Sequence, residues 1–213
     1  MLVRNRMTPD PYTVQASASI NTLIGLMREK HLRKVPVLDG NKLVGIVTEK
    51  DIERVSPSKA TTLSVHEIHY LLSKLTVAEA MTKNPITCSP DEYIEDAALL
   101  MRQNRVNSLI VVEEGKILGI VTESDLFDAL IDMMGGRIPG NKFVLKVDNV
   151  PGILERLGRV IAARGTNISH FSMVQGGETA MLYVRTASTI DPQIVREALE
   201  GEGFEIADVR IRR

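Results

Sequence analysis

The chain has no tryptophan, only one cysteine and few aromatic residues, and each of these scarcities excludes a class of protein. Aromatic residues make up 4% of its 213 residues, so few rings could stack on the bases of single-stranded nucleic acid. The single cysteine, Cys88, cannot form an intramolecular disulfide, which is typical of the reducing cytosol. No apolar run approaches the roughly 20 residues that cross a bilayer, and the N-terminus has no apolar stretch of signal-peptide length. We therefore expect a soluble, cytoplasmic protein that does not bind membranes.

An excess of charge of one sign is also missing. Lysine and arginine together number 26 and aspartate and glutamate 27, which argues against a nucleic-acid-binding protein. The sequence contains no Gly-x-Ser-x-Gly, Gly-x-x-x-x-Gly-Lys or His-Glu-x-x-His motif. His66 and His69 are three residues apart, but no third ligand accompanies them, and the four histidines of the chain form no ligand set. We therefore expect neither an enzyme nor a metal site, and no required cofactor.

The chain contains an internal repeat. A displacement of 74 positions aligns Met7 with Met81 and continues without a gap. The match ends on two nearly identical segments, Gly45–Asp51 and Gly119–Asp125, which differ only at Lys50 and Ser124. Two copies are too few for a long solenoid. The repeat therefore predicts a tandem pair of domains that bury their faces against each other.

Both copies have the same pattern of predicted elements. A short extended segment precedes an amphipathic helix, for which we predict Ser19 as the N-cap in the first copy and Asp91 in the second. Two β-runs joined by a polar turn follow. A short helix then begins at Thr48 in the first copy and at Thr122 in the second. Each copy is therefore expected to have the order β-α-β-β-α.

The repeat ends before the last third of the chain. Residues 134–140 contain three glycines and a proline, which is typical of a domain joint. The pattern beyond it predicts the order β-α-β-β-α-β, the ferredoxin-like split βαβ arrangement. The fold class is therefore α+β. We expect a first repeat at residues 1–60, a helical connector at 61–76, a second repeat at 77–134, a linker at 135–141 and a third domain at 142–213.

The Thr-x-x-Asp sequence that closes each repeat has two interpretations. It could be only a helix cap with an acid near the positive end of the helix dipole. It could also bind a ligand, because a carboxylate accepts bonds from a vicinal diol such as that of ribose, and exposed amides at a helix start suit a phosphate. Gly45 and Gly119 stand inside β-branched runs, where a glycine usually marks a bulge or the close approach of another group.

Residues 7–55 and 77–130 each resemble a CBS domain, through the Gly-hydrophobic-x-Thr-x-x-Asp signature and the hydrophobic strand before it. The resemblance implies that an adenosine nucleotide binds in clefts between the paired repeats. One cleft would contain Thr48, Asp51, Ile86, Val106 and Asn107. The other would contain Thr122, Ser124, Asp125, Tyr12, Leu32, Arg33 and Lys34. Arg33 and Lys34 have no cationic counterparts in the second repeat, so we predict tighter binding in the cleft that they line.

Residues 141–213 resemble an ACT domain, through Val147–Leu154 and the segment Gly165–Ile168. This resemblance implies an amino-acid site at the interface of two such domains. The residues implied are Asn149, Gly152, Ile153, Leu154, Asn167 and Ile168. The alternative is a sheet that only holds a dimer together.

The order of the three domains resembles that of the acetoin-utilization proteins of the AcuB type. It implies a non-catalytic regulator, a homodimer that senses an adenosine nucleotide, acts on an unidentified protein target and takes part in acetoin or acetate metabolism. Two alternatives remain open: an interaction scaffold without a small-molecule ligand, and a regulator that responds to an amino acid through the ACT domain alone.

Overall fold

The computed structural model describes residues 1–56, 64–187 and 190–212. The chain divides into two compact units, Met1–Phe127 and Asp128–Arg213. Part of the predicted connector, residues 61–63, lies outside the described residues, as do the side chains of His66 and His69. No helix in the described ranges is long and apolar enough to cross a membrane.

The first unit contains the first repeat and the second repeat as far as Phe127 in its last helix, and each repeat has the predicted β-α-β-β-α core. After a 3-10 turn (Val3–Asn5), the first repeat comprises β1 (Thr8–Pro9), β2 (Val14–Gln15), α1 (Ile20–Glu29), β3 (Lys34–Asp39), β4 (Lys42–Thr48) and α2 (Glu49–Val55). Between the repeats, the part of the chain that the structure describes forms α3 (Val65–Lys74) and α4 (Val77–Ala80). The second repeat comprises β5 (Thr82–Lys83), β6 (Thr87–Cys88), α5 (Ile94–Asn104), β7 (Ser108–Glu113), β8 (Lys116–Thr122) and α6 (Glu123–Met133).

The two repeats exchange their leading strands. One sheet has the order β2-β3-β4-β5 and the other β1-β8-β7-β6. Strand β1 of the first repeat therefore pairs with β8 of the second, and β5 of the second repeat pairs with β4 of the first. In these pairings Pro9 lies opposite Gly119, and Lys83 lies opposite Gly45.

The exchange explains the two strand glycines. A Cβ atom at Gly119 would lie 2.5 Å from Met7 Sδ and 2.9 Å from the carbonyl oxygen of Thr8. A Cβ atom at Gly45 would lie 3.0 Å from the carbonyl oxygen of Thr82. The group that closely approaches each glycine is therefore the strand paired with it, β1 or β5. These glycines are not evidence for a bound ligand.

The caps of the two first helices differ. The Ser19 side chain accepts a hydrogen bond from the backbone of Thr22, which confirms the predicted cap of α1. The prediction for α5 is wrong, because its N-cap is Tyr93, which makes no side-chain cap bond. Asp91 lies two residues earlier and forms an ion pair of 2.5 Å with Arg4. The second repeat therefore begins its helix without the side-chain cap that the first one has.

The second unit has the predicted β-α-β-β-α-β order. Its elements are β9 (Gly140–Asp148), α7 (Ile153–Ala162), β10 (Ile168–Gly176), β11 (Thr179–Thr186), α8 (Pro192–Gly201) and β12 (Glu205–Arg212). The antiparallel sheet has the order β10-β11-β9-β12. Alternate residues of β9 and β11, among them Phe143, Leu145 and Leu182, pack against both helices to form the core. The helices therefore cover one face of the sheet, as the split βαβ arrangement requires.

Candidate functional site

The first Thr-x-x-Asp sequence forms a closed capping box at the start of α2. The backbone nitrogen and the hydroxyl of Thr48 donate to Asp51 Oδ2 over 2.9 and 2.7 Å. The other carboxylate oxygen, Oδ1, lies 3.2 Å from the guanidinium of Arg54. Asp51 is 8% exposed, so a charged group is held in a largely buried position by these bonds. Both of its oxygens already have partners within the chain.

The second Thr-x-x-Asp sequence has the same geometry with a different neighbour. The backbone nitrogen and the hydroxyl of Thr122 both donate to Asp125 Oδ2 over 2.7 Å. The position that corresponds to Arg54 in the repeat is Asp128, which cannot form the same ion pair. Asp125 is also only half-buried. Of the two carboxylates, Asp125 is therefore the better placed to accept hydrogen bonds from a ligand.

Lys34 connects the two repeats. Its Nζ atom donates to the side-chain oxygen of Asn107 over 2.9 Å and lies 3.4 Å from the carbonyl oxygen of the same residue. Burial lowers the pKa of Lys34, while the nearby carboxylates of Glu123 and Asp125 act in the opposite direction. The structure thus bonds Lys34 of the first repeat to Asn107 of the second and brings it within electrostatic range of Asp125.

This arrangement includes a residue that the sequence analysis missed. Glu123 lies between two predicted site residues in the sequence, and its carboxylate is close enough to raise the pKa of Lys34. Its backbone nitrogen donates to the carbonyl oxygen of Asn107 over 3.2 Å. In the first repeat, the backbone nitrogen of Glu49 donates to the carbonyl oxygen of Arg33 over the same distance. In each repeat, a hydrogen bond therefore connects the segment at the start of β3 or β7 to the first residue of α2 or α6. The alignment of the two repeats pairs Glu49 with Glu123, and this shared glutamate was the sequence signal that could have identified both positions.

The remaining predicted nucleotide residues differ in their exposure. Tyr12 is exposed, and the Nζ atom of Lys30 lies 5.6 Å from the centre of its ring. Ser124 is exposed too. Of the others that remain, Arg33 is exposed, and Leu32, Ile86 and Val106 are half-buried. The set therefore combines apolar side chains that water partly covers with polar groups near the helix starts.

The residues predicted for an amino-acid site lie around the start of α7 and of β10. Gly152 has a φ of 86° and is the N-cap of α7. Asn149 donates its backbone nitrogen to Glu178, and the carbonyl oxygen of Asn167 accepts from Ala187. Leu154 is exposed and Ile168 packs partly against the core.

One of these residues needs a correction. The side chain of Ile153 is buried in the core of the second unit, at 7% exposure. Position 153 is the first of the apolar stripe that holds α7 against the sheet, so its side chain cannot face a ligand. Only its backbone remains available for such a contact.

The described residues give no sign of other chemistry. No three acidic, histidine or cysteine residues within 1–56, 64–187 and 190–212 lie close enough to hold a metal ion. Cys88 is buried, and burial, with a smaller effect from Glu92, raises the pKa of its thiol to about 11. At neutral pH this thiol is protonated and is a poor nucleophile.

Comparison with known proteins gives matches that include both repeats. The CBS-domain family matches residues 3–58 and 77–132. An uncharacterized protein of Methanocaldococcus jannaschii, MJ1426, is 34% identical over an alignment of 155 residues, and the match covers 62% of this chain and 92% of that protein.

Two solved structures are similar to about three-fifths of the chain. The crystal structure of CBSX2 in complex with AMP is 30% identical, with a TM-score of 0.50, and the match covers 62% of this chain and 96% of that one. The CBS domain pair of MJ0100, in complex with 5-methylthioadenosine and S-adenosyl-L-methionine, is 27% identical, with a TM-score of 0.51, over 64% of this chain and 98% of that one.

Proposed function

Because the chain belongs to the CBS-domain family, we propose that its paired repeats bind an adenosine nucleotide and that the protein is a regulator rather than an enzyme. The observation that carries the proposal is the hydrogen bond from Lys34 of the first repeat to Asn107 of the second, within electrostatic range of the Asp125 carboxylate. A cation next to a carboxylate at a helix start offers partners for a phosphate and for ribose hydroxyls together. The AMP bound by CBSX2 supports the same ligand class.

We assign the tighter site to the second Thr-x-x-Asp sequence. Thr122 fixes Oδ2 of Asp125, which leaves Oδ1 to accept from a ribose diol, whereas Oδ1 of Asp51 faces Arg54. Helix α6 has 11 residues and α2 has 7, so the amides at the start of α6 have the stronger dipole behind them. Ser124 adds an exposed hydroxyl at the same helix start.

Regulation then follows from linkage between ligand and conformation. A phosphate that recruits Lys34 competes with Asn107 for its ammonium group, and this changes a contact between the repeats. The resulting shift between two arrangements cannot exceed the difference in the nucleotide's affinity for them. An unidentified protein target would respond to that shift.

For the second unit we propose an ACT-like role in dimerisation, with amino-acid binding as the other candidate. Its edge strand β10 exposes Phe171 at 54% and Val174 at 58%, and an edge strand with exposed apolar residues favours association with a second copy. The amino-acid candidate is favoured by Gly152, whose φ of 86° opens the start of α7 to a carboxylate. A role in acetoin metabolism remains a prediction from the order of the domains.

Thermal unfolding against a panel of ligands tests these functions. A ligand at 100 times its Kd stabilises the native state by about 2.7 kcal/mol. We expect a rise in Tm with an adenine nucleotide, and loss of that rise in Asp125→Ala. A rise with an amino acid alone would move the function to the second unit. If neither nucleotides, S-adenosylmethionine nor amino acids changed the Tm, the result would favour an interaction scaffold that binds no small molecule.

A further inference from the structure

A groove on the helical side of the second unit gathers three arginines. Its volume is about 190 Å³. The arginines that line it are Arg156 and Arg159 on α7 and Arg164 just after that helix. Val160 and Ala198 form an apolar floor, and Glu202, just after α8, lines the remaining wall. None of the three arginines was predicted from the sequence as a site residue.

The arginines are arranged so that two of them could bind a ligand at little cost. The Cζ atom of Arg156 lies 4.6 Å from the centre of the buried Phe204 ring, which restrains this side chain in advance. Arg159 forms an ion pair of 2.6 Å with Glu155, and both side chains are about three-quarters exposed. Exposed pairs of this kind contribute little to stability, so a ligand can replace Glu155 without a large loss.

The charge of the groove indicates the class of ligand. Once a ligand has displaced Glu155 from Arg159, the three arginines and the Glu202 carboxylate leave an excess of two positive charges. A phosphate monoester carries a charge of about −1.5 to −2 at pH 7, and its oxygens match the forked donors of arginine. A single carboxylate would leave part of the positive charge unbalanced. The Glu202 carboxylate, which would repel a second anionic group, could instead accept a hydrogen bond from a hydroxyl.

We propose that this groove binds a small phosphate monoester with a hydroxyl-bearing organic part. The arginines hold the phosphate, Glu202 accepts from a hydroxyl, and the carbon chain lies over Val160 and Ala198. The groove is smaller than the roughly 300–1,000 Å³ of sites that enclose drug-sized ligands, which favours a sugar phosphate over a nucleotide. The proposal does not depend on the nucleotide site of the CBS pair, because every residue involved belongs to the second unit.

Ribose 5-phosphate, inorganic phosphate and ribose serve as probes with the full-length protein. Binding is followed by calorimetry and by the NMR signals of the arginine Nε–H groups. We expect ribose 5-phosphate to bind more tightly than inorganic phosphate, ribose alone not to bind, and the Arg159 and Arg164 signals to shift. The double variant Arg159→Gln/Arg164→Gln is expected to raise the Kd at least tenfold.

Two control variants separate this site from other effects. Arg196→Gln removes one positive charge from α8, where Arg196 is paired with Glu200 outside the groove, and should leave binding unchanged. Asp51→Ala/Asp125→Ala, which targets the CBS pair, should do the same. Equal loss in Arg196→Gln would mean attraction by overall charge and would overturn the proposal. So would unchanged binding in the double arginine variant, or no binding of ribose 5-phosphate at millimolar concentration.

Discussion

The close contact between exchanged strands makes Gly119→Ala a sharp test of the paired fold. The new methyl group would lie 2.9 Å from the carbonyl oxygen of Thr8 and 2.5 Å from Met7 Sδ. The sulfur can move because it belongs to a flexible side chain. The Thr8 oxygen belongs to the backbone of β1, so relief of this contact requires the strand itself to shift away from β8.

Two opposing effects determine the magnitude. Overpacking by a methyl group costs about 1–3 kcal/mol. Replacing a strand glycine by alanine returns about 0.5–1 kcal/mol, because the unfolded chain loses freedom. The overpacking is larger, so we expect Gly119→Ala to lower the free energy of unfolding by roughly 0.5–2 kcal/mol. Gly25→Ala is the matched control, because Gly25 lies in α1 with no atom within 4 Å of a new Cβ. It should raise the free energy of unfolding by about 0.5–1 kcal/mol.

Urea unfolding followed by circular dichroism separates these outcomes. The expected difference between the two variants is about 1–3 kcal/mol, which corresponds to a midpoint shift of roughly 0.3 M or more at ordinary m-values. Adding Met7→Ala to Gly119→Ala should recover part of the loss, because only the contact with Thr8 would remain. If Gly119→Ala were as stable as Gly25→Ala, the exchange of strands between the repeats would be refuted.

Three further predictions concern individual side chains. Thr48→Val removes the hydroxyl of the capping box and should lower the free energy of unfolding by about 0.5–2 kcal/mol in urea titrations. Thr48→Ser keeps a hydroxyl and should lose much less stability. Equal losses in the two variants would argue against the cap. Because burial raises the pKa of the Cys88 thiol to about 11, iodoacetamide should modify it at pH 8 on the order of 100-fold more slowly in the native than in the unfolded protein. The folded state then retains a proton that the unfolded state releases, so stability should fall as the pH rises from about 9 to about 11, and Cys88→Ala should lack this fall. Lys34→Ser introduces the residue found at the equivalent position 108 of the second repeat. Calorimetry should show that this variant binds the nucleotide about tenfold or more weakly, as expected for the loss of a charge-assisted bond. The control Lys83→Ser, at an exposed lysine, should bind as the wild type does.

The longer helices and strands could be predicted from the sequence because each contains several turns or alternations of apolar and polar residues. The apolar spacing of Ile20, Leu23 and Met27 predicts α1, and all three are buried. The repeat then transfers each assignment to the second copy. The order β-α-β-β-α-β of the second unit follows from similar patterns.

The exchange of β1 and β5 could not be predicted in this way. Each strand has only two residues, and both residues are exposed, so neither strand carries an alternating pattern. The signal that did exist was indirect, in the glycines that face them. The wrong cap at Asp91 has a different cause: the repeat aligns Ser19 with Tyr93, but the preference of helices for an acidic N-cap pointed two residues earlier.

The candidate site was predicted only as two sets of residues. Thr48 and Asp51 are close in sequence, so their bond follows from local geometry, as does that of Thr122 and Asp125. The contact between Lys34 and Asn107 spans the two repeats and depends on their packing. Arg54 and Asp51 are three residues apart, so their ion pair could have been predicted from the sequence. The second repeat has Asp128 at the position of Arg54, which already indicates that the pair is absent there.

Calorimetric titration with AMP tests the central proposal most directly, using the wild type, Asp51→Ala, Asp125→Ala and the double variant. Asp96→Ala is the control, since Asp96 is an exposed acid on α5. We predict that the wild type and the control bind AMP, that Asp125→Ala loses the tighter site, and that the double variant does not bind. AMP binding by the double variant with the affinity of the wild type would contradict the assignment of the nucleotide to these carboxylates.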